Sequence, residues 1–188
     1  MNWQKKKGFI FLVLFAVMLP LNIRAGMNEA LEKGIQLFEA GEFPEAKEFF
    51  ESFAEKSPEN PTASVYLGRI FLIEGDYNTS IDWFKKAVEL DENNSEYHLW
   101  LGRAYGQKAQ RSSVFKKPSL AKKVKKEFEK AVELDPDNID ARFALMKYYL
   151  RAPGFMGGSK EKAREQAKEI EKRDPQQGRR AFELIYEF

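Results

Sequence analysis

The sequence of 188 residues contains no cysteine and a single histidine, His98. Without cysteine the chain has no disulfide framework, no thiol nucleophile and no thiol to carry a lipid, so a bacterial lipoprotein is excluded. The sequence also lacks a histidine–carboxylate cluster for a metal and a nucleophile elbow. It therefore predicts a protein that is not an enzyme and that holds neither a cofactor nor a metal.

Long apolar runs are absent except near the N-terminus. There Lys5, Lys6 and Lys7 precede an apolar run over residues 9–19. A basic start, a short apolar segment and a small residue at its exit are typical of a secretory signal peptide, which we place at residues 1–25. The run is shorter than the roughly 20 residues that a membrane span needs. The leader predicts a periplasmic or secreted protein. The alternative is an uncleaved inner-membrane anchor with the rest of the chain facing the periplasm.

The remaining sequence repeats itself at a fixed interval. Gly34, Gly68 and Gly102 stand 34 residues apart, and residues 67–71 return as residues 101–105. A period of roughly 20–50 residues indicates a repeat architecture, in which stacked units build one extended concave surface. The repeat therefore favours a binding surface over a catalytic pocket.

The period and the placement of small and large residues resemble the tetratricopeptide repeat, a helix–turn–helix unit. The residues that carry the resemblance in the second unit are Leu67, Gly68, Phe71, Ser80, Phe84 and Ala87. The resemblance implies an all-α, right-handed superhelical solenoid over residues 26–188 that binds a protein or peptide. Its units are 27–60, 61–94, 95–138 and 139–177, and an apolar stripe predicts a capping helix over 178–188. The prolines expected to end the second helix of a unit are Pro58, Pro136 and Pro175.

Two insertions interrupt the period, ten residues within 106–118 and five within 151–159. We expect each to be a loop between the two helices of its unit. Loops at equivalent places in adjacent repeats emerge on the same edge of a solenoid, so apolar residues of the two loops should pack together. These residues are Val114, Phe115, Phe155 and Met156. Both insertions resemble those of exported bacterial tetratricopeptide proteins of unassigned function.

The first insertion and the helix after it are basic. The edge residues predicted to contact a partner are Arg111, Phe115, Lys116, Lys117, Lys122 and Lys123. Residues 27–100 carry 6 basic and 16 acidic side chains, whereas residues 101–188 carry 21 and 13. A bipolar solenoid of this kind presents its basic end to an anionic partner or stacks head to tail. A generally charged, solvated surface would give the same composition.

The resemblance also implies which residues line the concave groove. Arg69, Arg103 and Lys147 occupy one equivalent position in three successive units, with Arg151 one turn beyond. Planar guanidinium groups suit recognition of carboxylates on a partner. Alternatively, the arginines pair with acidic residues of the next helix in exposed salt bridges that stabilise little. Those acidic residues are Glu96 and Asp140.

These patterns predict an exported adaptor or scaffold that binds a protein or peptide in the bacterial cell envelope. One alternative is a structural subunit held to the membrane by its N-terminus. The other is a binder of a polyanion or small ligand through the basic edge. Export argues against nucleic acid as the partner. His98 falls where the family often places a packing residue, so we expect it to pack rather than to act as a general base.

Overall fold

The computed structural model describes residues 21–187, with side chains from residue 29 onward except residue 30. This part of the chain contains nine α-helices, one 3₁₀ turn and no strand, which confirms the predicted all-α fold. The helices are α1 (Leu21–Glu39), α2 (Phe43–Lys56), α3 (Pro61–Glu74), α4 (Tyr77–Leu90), α5 (Ser95–Gln110), α6 (Lys117–Leu134), α7 (Ile139–Arg151), α8 (Lys160–Arg173) and α9 (Pro175–Tyr186). The 3₁₀ turn is Gly154–Met156. The chain divides into two compact units, residues 1–46 and 47–188.

The first unit contains α1 and the beginning of α2. Its two phenylalanines at the turn, Phe38 and Phe43, meet edge to face with ring centroids 5.4 Å apart. The predicted signal peptide lies outside the described residues as far as residue 20, and α1 begins at Leu21, upstream of the predicted cleavage after Ala25. No helix in the described part of the chain is both long and apolar enough to cross a membrane.

In the second unit, glycines let the two helices of a repeat approach each other. A Cβ atom on Gly68 would lie 2.7 Å from the ring of Phe84, and one on Gly102 would lie 2.5 Å from the ring of Phe128. Both distances are shorter than carbon atoms in contact tolerate, so any larger residue would force the helices apart. The 34-residue spacing of the glycines therefore has a steric cause, because each glycine faces the large residue of its own partner helix.

An asparagine precedes the first helix in each of the last three repeats. Its side-chain oxygen accepts a hydrogen bond of 2.9–3.1 Å from a backbone N–H two or three residues later. The three caps are Asn60, Asn94 and Asn138. Each satisfies an N–H that the helix itself leaves open, a contribution of typically about 1 kcal/mol. These asparagines recur at the intervals of the repeat, a signal that the sequence analysis did not use.

His98 of the third repeat is buried between α5 and α6. Its Nδ1 donates to Glu127 Oε2 at 2.7 Å, and its Nε2 donates to the backbone carbonyl of Glu92 at 3.0 Å. Because both partners are acceptors, both contacts are satisfied only by the imidazolium. The hydrogen bond to Glu127 raises the pKa of His98 above its ordinary value, against the opposing effect of burial. His98 is thus held in a structural contact, in line with the packing role expected for it.

Arg142 takes the equivalent place in the fourth repeat. Its Nη1 donates to Gln166 Oε1 at 2.9 Å, and its Nε donates to the carbonyl of Pro136 at 2.6 Å. Like His98, Arg142 therefore connects the second helix of its own repeat to the turn that enters the repeat. Two adjacent repeats use different residues for one structural task.

The insertion of the third repeat is only partly a loop. In the second repeat α3 and α4 have 14 residues each, whereas in the third α5 has 16 and α6 has 18. Six of the ten extra residues therefore extend the helices, and the prediction that the whole insertion is a loop is wrong. Pro118 lies in the first turn of α6, where its missing N–H costs nothing, so the helix begins earlier than the proline suggested.

The capping helix forms as predicted but with different limits. Asp174 ends α8 and caps α9, so Pro175 follows the end of α8 as predicted and also occupies the first turn of α9. Ala181 and Ile185 are buried, whereas Tyr186 is 83% exposed and does not seal the fourth repeat as its place in the apolar stripe suggested. The other two prolines, Pro58 and Pro136, follow the ends of α2 and α6 as predicted.

Candidate binding groove

A cavity of about 900 Å³ opens between the third repeat, the fourth repeat and the capping helix. Helices α5, α6, α7 and α9 supply most of its wall. The charged residues that line it are Arg103, Lys117, Asp140, Lys147, Arg151 and Arg180. Five of these six side chains are basic, so the cavity favours an anionic ligand.

The aromatic floor of the cavity begins at Trp100 on α5. The guanidinium of Arg103 lies 4.6 Å from the Trp100 ring centroid, and that of Arg69 lies 5.0 Å from it. Both distances fall within the range of cation–π contacts. The indole Nε1 of Trp100 donates to Glu96 Oε1 at 2.8 Å. Two arginines and one carboxylate thus fix the orientation of a single tryptophan.

Four of the six residues predicted to line the groove lie together in the cavity, and two do not. Arg103, Asp140, Lys147 and Arg151 line the cavity together, whereas Arg69 and Glu96 are absent from its lining. The pairing considered for Arg103 is present, because its Nη2 donates to Asp140 Oδ2 at 3.2 Å. The side chain of Asp140 is 71% exposed, so this salt bridge remains in contact with water and is of the kind that contributes little.

Lys147 and Arg151 extend the basic wall along α7. Their positions are four residues apart, which places both on one side of the helix. Both side chains are exposed, and the Lys147 Nζ lies 5.8 Å from the ring centroid of Phe143. Phe143 also lines the cavity. An apolar surface and two cations are therefore offered to a ligand side by side.

The residues of the predicted basic edge lie in different environments. Lys117 lines the cavity. Arg111 lies 6.0 Å from the ring centroid of Tyr77, and Lys123 lies 5.2 Å from that of Tyr105. Lys116 and Lys122 are exposed, and the Phe115 side chain is 95% exposed. The edge is therefore not one continuous patch.

The expected packing of the two insertions against each other is wrong. Val114 and Phe115 are 74% and 95% exposed, and Phe155 of the second insertion is 82% exposed. The second insertion contacts α6 instead, because a Cβ on Gly157 would lie 3.3 Å from Cδ of Lys125. The loop lies over the body of the helix that the first insertion lengthened, and its apolar side chain turns outward.

Several lining residues were missed by the sequence analysis. They are Leu72, Trp100, Gln107, Gln110, Tyr148, Gln177 and Arg180. Gln107 and Gln110 lie on the part of α5 that was expected to be a loop, and Gln177 and Arg180 lie on the helix expected only to cap. Extending the predicted helix through residues 106–110 would have placed Gln107 and Gln110 on α5. No cluster suited to a metal occurs among the described residues.

Comparison with known proteins agrees with this architecture. A family model described as "TPR repeat" matches residues 68–108. Among curated protein sequences, none matches significantly. The fold is similar to that of TTC0263, a thermophilic TPR protein in Thermus thermophilus, at 19% identity over 85% of this chain and 81% of that chain, with a TM-score of 0.69.

Two further similar structures have ligand sites in their descriptions. YrrB, a TPR protein with an unusual peptide-binding site, is 20% identical over 78% of this chain and 68% of that chain, with a TM-score of 0.59. The first TPR of Spaghetti (RPAP3), bound to the HSP90 peptide SRMEEVD, is 20% identical over 65% of this chain and 89% of that chain, with a TM-score of 0.56. At these identities the likeness establishes the fold.

Proposed function

The chain is built from tetratricopeptide repeats, and we propose that it is an adaptor whose cavity binds an acidic segment of another protein. The observation that carries this proposal is the charge of the lining, where five basic side chains face one carboxylate in about 900 Å³. The volume falls within the range of roughly 300–1,000 Å³ that is usual for ligand sites. An extended peptide with two or three carboxylates fits both the size and the charge of the cavity.

Each element of the lining has a task in this binding. Arg103 is held on Trp100, so its planar fork is already oriented for a carboxylate and loses little freedom on binding. Lys147 and Arg151 supply two more cations along α7, and the rings of Trp100 and Phe143 offer apolar contact between charges. Since the Asp140 carboxylate is largely exposed, a ligand carboxylate can replace it at Arg103 at small cost.

Peptide ligands in similar structures support this assignment. The peptide named with the Spaghetti domain, SRMEEVD, contains three acidic residues and one basic residue. YrrB is likewise described as having a peptide-binding site. The single histidine of this chain is engaged by Glu127 and Glu92, and it is not among the residues that line the cavity.

We propose that the adaptor works in the bacterial cell envelope, because the sequence of residues 1–25 predicts a secretory leader. Intact-mass measurement of the protein recovered from the periplasm tests this placement. We expect a mature chain that begins at Gly26 and is released by osmotic shock. A full-length mass in the membrane fraction would instead support the anchored alternative.

Site-specific photo-cross-linking in living cells tests the binding site. A photoreactive residue replaces Gln107, which lines the cavity, or Asn93, which lies in the turn at the opposite end of α5. We expect Gln107 to capture segments rich in Asp and Glu, and Asn93 to capture none of them. Capture of basic or uncharged segments at Gln107 would contradict the proposal.

Two pairs of charge reversals, one inside the cavity and one outside it, serve as the test and the matched control for that experiment. Arg103→Glu with Lys147→Glu should reduce capture at Gln107 at least roughly tenfold, because the carboxylates of the partner then meet like charges. Arg164→Glu with Lys168→Glu makes the same change in charge on α8, outside the cavity lining, and should leave capture unchanged. Equal losses in both variants would mean that only net charge matters.

A further inference from the structure

The third repeat contains a long segment with many basic side chains and no acidic ones. Between Glu96 and Glu127 the chain has nine lysines and arginines and no acidic residue. The loop within this segment also carries two apolar side chains that water surrounds, Val114 at 74% and Phe115 at 95% exposure. Val114 and Phe115 thus lie between two exposed cations, Arg111 and Lys116.

The loop itself holds these side chains outward. Ser112 Oγ donates to the carbonyl of Lys108 at 2.7 Å, and the Lys116 N–H donates to the carbonyl of Ser113 at 3.0 Å. The backbone is thus fixed on both sides of Val114 and Phe115.

The loop of the fourth repeat presents a second aromatic residue in the same way. Its backbone is closed by hydrogen bonds from Met156 and Gly158 to the carbonyl of Pro153, at 2.8 and 3.1 Å. A Cβ on Gly158 would lie 1.7 Å from the carbonyl oxygen of Ala152, so the loop can fold this tightly only with glycine there. Phe155 stands at the tip and is 82% exposed.

Both loops border α6 and the cavity. Lys117, two residues after Phe115, and Met156, next to Phe155, line the same cavity. Gly157 approaches Lys125, which lies eight residues along α6 from Lys117, or about 12 Å at the rise of an α-helix. Phe115 and Phe155 are also the only phenylalanines that are exposed among residues 31–187.

We propose that this loop edge, defined by Arg111, Val114, Phe115, Lys116 and Phe155, docks on the surface of an anionic lipid bilayer. The aromatic and valine side chains would enter the interfacial layer, where apolar rings are stabilised. Arg111 and Lys116 would meet the anionic headgroups. This docking requires no peptide in the cavity and goes beyond the adaptor function proposed above.

A lipid surface suits this edge better than a protein groove or a free polyanion. The two phenylalanines stand on separate protruding tips, whereas a partner helix needs one continuous apolar stripe. A soluble polyanion would satisfy the cations and leave both rings in water. An anionic bilayer contacts both kinds of side chain, because its surface attracts the cations and the apolar layer beneath it takes up the rings.

The absence of cysteine allows a local test on the full-length chain. Single variants Phe115→Cys, Phe155→Cys and Asn93→Cys are labelled with an environment-sensitive fluorophore and mixed with phosphatidylglycerol or phosphatidylcholine vesicles. Asn93 is exposed in the turn at the other end of α5 and serves as the control. Because each dye reports only its own surroundings, insertion of the leader does not imitate docking of the edge.

We expect a blue shift at positions 115 and 155 with phosphatidylglycerol vesicles, and no shift at 93 or with phosphatidylcholine. Arg111→Gln with Lys116→Gln should weaken the partition that produces this shift roughly fivefold for each charge removed. Unshifted dyes at both tips would overturn the proposal. Salt-sensitive binding of polyphosphate with no shift on vesicles would assign the edge to a soluble polyanion instead.

Discussion

The second and third repeats share the same core packing but differ in the sign of their net charge. In both, a glycine of the first helix faces a buried phenylalanine of the second, Gly68 with Phe84 and Gly102 with Phe128. Residues 61–94 nevertheless carry 3 basic and 6 acidic side chains, and residues 95–138 carry 10 and 6. The turn after Glu74 is closed by Gly75 at φ 83°, whereas the third repeat replaces it with six residues and longer helices.

The comparison separates what folds the repeat from what gives it a function. The glycine, the phenylalanine and the asparagine cap of the helix pair recur in both repeats. The longer α5 and α6 contribute to the cavity, because Gln110 and Lys117 of its lining lie on the residues added to these helices. The departures from the period therefore enlarge a binding surface whose central cations, Arg103 and Lys147, stand at equivalent positions of the repeat.

The largest expected effect tests whether the two cores are equivalent. Phe84→Ala and Phe128→Ala each remove a buried ring and leave a cavity, which costs about 3–5 kcal/mol. We expect similar losses in the free energy of unfolding, measured by urea denaturation. A loss in the third repeat much smaller than in the second would mean that the insertion had loosened the core.

A smaller effect, with a control of opposite sign, tests the close approach of the helices. Gly68→Ala and Gly102→Ala place a methyl group against a buried ring, and we expect a loss of about 1–3 kcal/mol. Gly106→Ala adds the same methyl group to α5 where nothing lies within 4 Å. It should stabilise the protein by about 0.5–1 kcal/mol, because alanine is the better helix former. Stabilisation by all three substitutions would contradict the steric account.

The smallest effect concerns a contact that the third repeat has and the second lacks. Because the folded-state pKa of His98 is raised, its pair with Glu127 stabilises the protein fully below pH 6.5 and loses that contribution as pH rises through the folded pKa. The opposing charge nearby is Lys130. We expect the free energy of unfolding to decline from pH 6 towards pH 9 by an amount on the order of 1 kcal/mol.

Two substitutions assign that pH dependence. Glu127→Gln should remove most of the decline, whereas Ser64→Ala at the equivalent place in the second repeat should leave it intact. Ser64 Oγ is buried without a hydrogen-bond partner among the described residues, so its removal should be neutral or slightly stabilising. An unchanged decline in Glu127→Gln would locate its origin elsewhere.

Much of the fold could be predicted because its causes are local. The repeated glycines, Gly68 and Gly102, predict the pairs of packed helices. The apolar residues after Asp174 predict the capping helix. The cavity could not be predicted in full, since it depends on how α5, α7 and α9 come together. Arg103 and Lys147 were found through their equivalent positions, but Arg180 belongs to no repeat and Trp100 was not among the predicted groove residues. The loops misled because a tightly hydrogen-bonded backbone can hold Phe155 in water, which an apolar pattern alone does not reveal.

We propose that the cavity between the third repeat, the fourth repeat and the capping helix binds acidic peptides. Selection of peptides from a random library against the purified protein tests it most directly. We predict that the selected sequences are rich in Asp and Glu, that their affinity falls steeply with salt, and that Lys147→Glu with Arg151→Glu abolishes binding. Selected peptides that are not acidic, or that bind this variant as well as the original, would contradict the claim.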